Sequence, residues 1–261
     1  MNNQTINEIN KRDFDKVFFS LSFISQDIFF NYGDDYIKKR TVYTIIGTTI
    51  NGTRRYITSI FSDEFSKTSD WYNLLLSFKK RGLEYIFFAS IPNDNNIKNA
   101  FNLAFKETIF FYSCFNVISK INHYISCSYS RNIFRTLKKL YHSLDINEFN
   151  IKKQELLDKY NDSPFIVDIL AKELDLFYSF LNYPFIIRKH VISFNFFEGL
   201  SYALSFTAHS KNYFFNISEY EELLVPKIQT FELKMYCGKN EWNSVISCLY
   251  IDFKELLLCV L

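Results

Sequence analysis

The stretch Thr41 to Phe61, TVYTIIGTTINGTRRYITSIF, constrains this chain more than any other. Val42 to Ile50 is rich in β-branched residues, Asn51-Gly52 suits a type I′ turn, and Tyr56 to Phe61 resumes the strand pattern. A hairpin in this register commits the early chain to an antiparallel sheet. Residues 16–30, KVFFSLSFISQDIFF, read as a further strand ending near Asp27, and NYGDDYIKKR reads as a turn containing Gly33. The expectation is three antiparallel strands at the start.

The pattern then changes period. Trp71, Leu74, Leu75 and Phe78 recur at three- and four-residue spacing, which predicts a helix from Ser66 to a C-cap at Gly82. Leu83 to Ile91 is a largely apolar run, as expected of a strand buried on both faces. A Pro92-Asn93-Asp94-Asn95-Asn96 loop, a short helix over Ile97 to Phe105 and a buried strand over Thr108 to Phe115 follow. Gly and Pro are scarce, at 6 and 4, so turn-formers are few and long helices are favoured. Helices are predicted over Asn132–Ser143, Glu148–Tyr160 and Pro164–Leu181, and again from Phe194 onward. Residues 1–15 are polar and read as a flexible terminus.

Composition excludes more than it selects. The net charge is +2, so a basic surface for nucleic acid has to be local. The 30 Phe and 18 Tyr fit an AT-rich coding sequence more simply than a base-stacking role. Five Cys, an odd number without close pairing, suit reduced thiols and a cytoplasmic location. Cys237, Cys248 and Cys259 do not have a zinc-ligand spacing. No apolar run is long enough for a membrane helix. A Gly-x-Ser-x-Gly elbow and a phosphate-binding Gly loop are both lacking, which argues against a serine hydrolase and against nucleotide-driven chemistry.

Two longer strings carry a family resemblance. In WYNLLLSFKKRGLEYIFFAS, Trp71 opens a helix that closes on Arg81-Gly82 before a buried strand. In YPFIIRKHVISFNFFEGL, Tyr183, Pro184, Ile187, Arg188, Lys189, Asn195 and Glu198 stand in register with a Tyr-Pro-x-x-Ile-Arg-Lys-x-x-x-Thr-x-Asn-x-x-Glu block, with Ser193 in place of the Thr. Trp242 and Phe253 keep the spacing of a last aromatic pair. Together these resemble the catalytic region of mutator-type transposases of bacterial insertion sequences, over roughly residues 20–255. The resemblance and the element order imply an α/β fold. Its ribonuclease H-like mixed sheet has three antiparallel and then two parallel strands, with an all-helical insertion before the final catalytic helix. The division expected is 16–115 with 191–261 as the core and 116–190 as the insertion. Family members carry a further N-terminal region of DNA-binding helices, so the resemblance implies a truncated copy.

The resemblance also implies chemistry. Such enzymes cut and join DNA with two Mg²⁺ ions about 4 Å apart, held by two Asp and one Glu. The first Asp falls on Asp27 and the Glu on Glu198, the two expected catalytic and metal-binding residues. The second Asp falls on Pro92, which has no side-chain oxygen, and Asp94 two residues later is a weak substitute. After the last core strand the family has Cys-x-x-His, of which Cys114 remains while Val117 replaces the His. The implied protein binds DNA at transposon ends and is impaired in catalysis. Arg54, Arg55, Arg188 and Lys189 are the favoured phosphate contacts among several basic clusters. A homo-oligomer stays open. So do two other readings, a non-catalytic DNA-binding or regulatory protein derived from a transposase and an interaction protein without DNA contact.

Overall fold

The computed structural model describes residues 12–33, 36–113, 117–118, 120–121, 127–192, 213–232 and 239–260. Its centre is a five-stranded mixed sheet. The strands are β1 (Val17–Asn31), β2 (Ile37–Thr49), β3 (Arg54–Phe61), β4 (Tyr85–Ile91) and β5 (Ile109–Tyr112), in spatial order β3-β2-β1-β4-β5. β1, β2 and β3 are antiparallel neighbours, whereas β4 runs parallel to β1 and β5 parallel to β4. The Asn51-Gly52 turn forms where expected, with Gly52 at φ +77 and its N–H on the Thr49 carbonyl.

The first hairpin is longer than its sequence suggests. β1 does not stop near Asp27 but runs on to Asn31, and β2 starts at Ile37 rather than Val42. A carboxylate is tolerated inside the strand because Thr41, its direct cross-strand partner, donates to it from Oγ1 at 2.7 Å. β4 accompanies β1 only from Val17 to Ser22. Farther along, Phe214 exchanges backbone hydrogen bonds with Phe29 and Asn31 and so supplies part of the missing edge.

Each face of the sheet is covered. On the first face, Phe18, Leu21, Phe23, Ile45 and Ile57 pack against Trp71, Leu75, Phe78, Ile97 and Phe101. These last five belong to α1 (Thr68–Lys80) and α2 (Asn95–Ala104). On the second face, Phe19, Ile24, Ile28, Phe30, Val42 and Ile46 join the core of the remaining helices. Those are α3 (Cys127–Tyr141), α4 (Ile146–Lys159), α5 (Pro164–Leu174), α6 (Phe185–Ile192), α7 (Ile217–Glu232), α8 (Lys239–Asp252) and α9 (Lys254–Val260). The helix expected to run to Leu181 tightens into a 3₁₀ segment over Asp175–Asn182. Tyr183 then turns extended (φ −112, ψ 147), as the residue ahead of Pro184 must.

Residues 12–15, expected to be loose, are tied down where described. Phe14 donates to the Arg81 carbonyl and packs edge-on against Phe78, while Arg12 reaches the Tyr56 carbonyl at 2.6 Å.

Candidate active site

Strand alternation decides where each β1 side chain points. Phe23 lies in the first-face core, and Ile24, Ile28 and Phe30 lie in the second-face core. Gln26 belongs with the second set, since its Oε1 accepts from the Tyr220 hydroxyl of α7 at 3.1 Å. Asp27 therefore projects with Phe23 and Ser25 from the face covered by α1 and α2. Its side chain is 17% exposed and is engaged by Thr41 and by the Lys39 ammonium at 3.7 Å.

The end of β4 lies on the same side of the chemistry. Pro92 follows the strand directly and is buried. Asp94 is the N-cap of α2, and its Oδ1 accepts from the Asn96 N–H at 2.7 Å. That bond satisfies one of the four orphan donors at a helix start and is worth about 1 kcal/mol. The cap turns Asp94 toward its own helix. Asp94 and Asp27 do share a neighbour. The half-buried Tyr43 hydroxyl is pushed up to about 12 by burial first, then by the charges of Asp94 and Asp27. Both carboxylates are thus near enough for their charges to act on Tyr43.

Approaching the sheet from the other side, α6 buries Ile187 and Val191 in the second-face core against β1 and β4. Along the stretch of β1 beside β4, Val17 and Phe19 belong to this second-face core, and Ser22 is paired with Ser90 of β4. Glu198 and Asn195, which follow α6 in sequence, lie outside the described residues, as does Cys114. Among the described residues no group of three or more His, Cys, Asp or Glu could hold a metal ion. The described residues alone do not make up a two-ion Mg²⁺ site. Pro92 has no side-chain oxygen, Asp94 is a helix cap, and Asp27 projects to the face covered by α1 and α2.

A model of the family described as "Transposase, Mutator family" matches residues 2–228. The chain belongs to the mutator family of transposases. No curated protein matches it.

Several residues of the expected family pattern hold this mutator-family chain together. Trp71 anchors α1 through its Nε1, which donates to the Phe65 carbonyl at 3.0 Å, and its ring packs on Phe23, Tyr43 and Phe65. Arg81 caps α1 beneath Phe14, with its guanidinium 3.7 Å from that ring, and Gly82 takes φ +97 to leave the helix. Tyr183 packs edge-on against Phe88 and at a tilt against Phe111 beside Pro184. Trp242 donates to the Ile50 carbonyl at 2.9 Å and clamps the second hairpin.

The four basic residues favoured as phosphate contacts divide. Arg188 is only 4% exposed and donates to the Tyr183, Tyr141 and Ser143 carbonyls, so it ties α6 to the turn after α3. Arg54 is buried as well. Arg55 and Lys189 reach solvent. Lys189 is ion-paired with Glu241 of α8, whose carboxylate also sits 3.3 Å from His190 Nε2. Burial against Trp242 lowers His190 to about 4 despite that carboxylate. The sequence pointed to Lys189 and missed its neighbours. A His following an Arg-Lys pair carries no signal of burial until the helix face is known.

Proposed function

We propose that this chain is a transposition protein that engages DNA but does not carry out two-metal strand transfer. The observation that supports it most directly is the end of β4. A buried proline stands where the family's second Asp is expected, and the nearby Asp94 is held as a helix cap. A ligand lost at that point removes charge and geometry together, and electrostatic stabilisation of the transition state is the larger part of such catalysis. No step is assigned to Mg²⁺, because the described residues alone do not make up its site.

The reading includes a ribonuclease H-like core. The order β3-β2-β1-β4-β5, with three antiparallel strands and two more parallel to the first, supports that assignment. It keeps 16–115 and 191–261 as the core and 116–190 as the helical insertion. Glu198 is the carboxylate assigned to the DNA face. Asp27, engaged by Thr41 and Lys39, is assigned to the hairpin instead. Arg55 and Lys189 are the assigned phosphate contacts. The odd number of cysteines favours a reducing, cytoplasmic setting. Among the described residues no helix is long and apolar enough to cross a membrane.

DNA engagement is tested by titrating the purified protein with duplex DNA at several salt concentrations. Two phosphate contacts give a log–log slope near about −2, and Lys189→Ala or Arg55→Ala reduces it by about one each. Salt-independent affinity, or none at low salt, removes DNA from the reading.

A further inference from the structure

The far half of the first hairpin carries exposed rings. Phe29, Tyr36 and Phe215 are 50%, 61% and 57% exposed, so half or more of each meets solvent, and Tyr32 is nearly as open. Single exposed hydrophobics are ordinary, whereas a contiguous patch marks an interaction surface.

The register shows that these residues are contiguous. Ile28 and Phe30 lie in the second-face core, so Phe29 between them projects to the first face. Lys39 is its direct cross-strand partner, and the exposed Ile37 follows on the same face, opposite Asn31. Tyr32 and Tyr36 flank the turn at Gly33, with their rings 6.3 Å apart. Along the other edge of β1, Phe214 bonds to Phe29 and Asn31 through its backbone and turns its own ring into the core. Tyr213 and Phe215 stand on either side of it, with their rings in edge contact at 5.5 Å.

The make-up of the patch selects its partner. Apart from Ile37 its apolar members are rings. Lys38 and Lys39 lie among them on β2, paired with Asp63 at 3.6 Å and with Asp27 at 3.7 Å. Exposed ion pairs of this kind are weak, and a phosphate competes with the carboxylate. Rings beside ammonium groups suit a polymer that alternates flat bases with phosphates. In a duplex the base faces are stacked on one another, so only an unpaired strand offers them. The same lysines oppose edge-to-edge pairing of β2 with a second copy, because like charges would face each other.

We propose that the tip of the first hairpin binds single-stranded DNA, with unpaired bases stacked on Phe29, Tyr36 and Phe215 and a phosphate at Lys39. This rests on the proposed engagement of DNA and adds a second surface to it. Arg55, a duplex contact in that reading, pairs with Gly47 at the other end of β2.

The test is fluorescence anisotropy of the full chain with labelled oligo-dT and, separately, with a duplex of the same length. Phe29→Ala and Tyr36→Ala are each expected to weaken oligo-dT about fivefold and to leave duplex affinity and the melting temperature unchanged. Phe29→Trp is expected to keep the affinity, with oligo-dT quenching the added indole beyond the wild-type signal. Lys39→Gln is expected to reduce the log–log salt slope for oligo-dT by about 0.7. Duplex bound without oligo-dT strikes this site alone. Oligo-dT bound without duplex strikes the Arg55 and Lys189 contacts and leaves this site standing. Equal losses on both DNAs in Phe29→Ala, or unaltered oligo-dT affinity in both alanine variants, overturns the proposal. So does a dimer in sedimentation that Phe29→Ala abolishes while oligo-dT affinity holds, because the rings then serve a protein contact.

Discussion

His190 sits at the junction of α6 and α8, with the Trp242 ring edge-on at 5.6 Å and Glu241 at 3.3 Å. Burial holds its imidazole near 4, against 6.5 in a free chain. The unfolded chain therefore takes up a proton that the folded chain refuses between those two values. Stability from this residue is complete above about pH 6.5 and is lost as pH falls toward 4, a window worth on the order of 3 kcal/mol. Denaturant unfolding from pH 7 to 4 checks this: His190→Gln flattens the decline, whereas an unchanged slope places the titration elsewhere. Single residues also show where the sequence was readable. Pro92 could be located by counting along the chain, because a proline's lack of a side-chain oxygen needs no structure to interpret. The direction of Asp27 was present too, in the alternation Phe23, Ser25, Asp27 against Ile24, Gln26, Ile28, but only once the two faces of the sheet were distinguished. The burial of Arg188 was not readable, since it depends on carbonyls from Tyr141 and Ser143 more than forty residues earlier.

Elements with strong local chemistry formed as expected. The Asn51-Gly52 hairpin, the helix through Trp71 and the strand before Pro92 were legible because turn residues, period and length agreed. The far half of the first hairpin was not, because β1 continues through a charged residue whose partners come from the facing strand. The Asn51-Gly52 turn is held from outside as well. A Cβ on Gly52 would lie 2.7 Å from the Trp242 ring, at a φ of +77 that disfavours side chains. Gly52→Ala is expected to cost about 2 kcal/mol, from the left-handed conformation and the displaced ring together. A shift of the denaturation midpoint reads this, and an unmoved midpoint means that α8 does not brace the turn. Asp94→Ala tests the start of α2. Loss of the cap is expected to lower stability by about 1 kcal/mol, with no change in Mn²⁺ affinity. If Mn²⁺ binding falls instead, Asp94 acts as a metal ligand.

At the scale of the whole molecule, a mixed sheet separates two sets of helices among the described residues. The charges of Asp27 and Asp94 both act on Tyr43, while α6 packs against β1 and β4 in the second-face core. Aromatic packing at Trp71, Tyr183 and Trp242 ties helices to the sheet of this mutator-family chain. The decisive measurement is cleavage and strand transfer by the purified protein on DNA carrying the transposon ends, with Mg²⁺ or Mn²⁺ supplied. DNA bound but uncut with either metal is the expected result. Metal-dependent nicking that disappears in Glu198→Gln contradicts it.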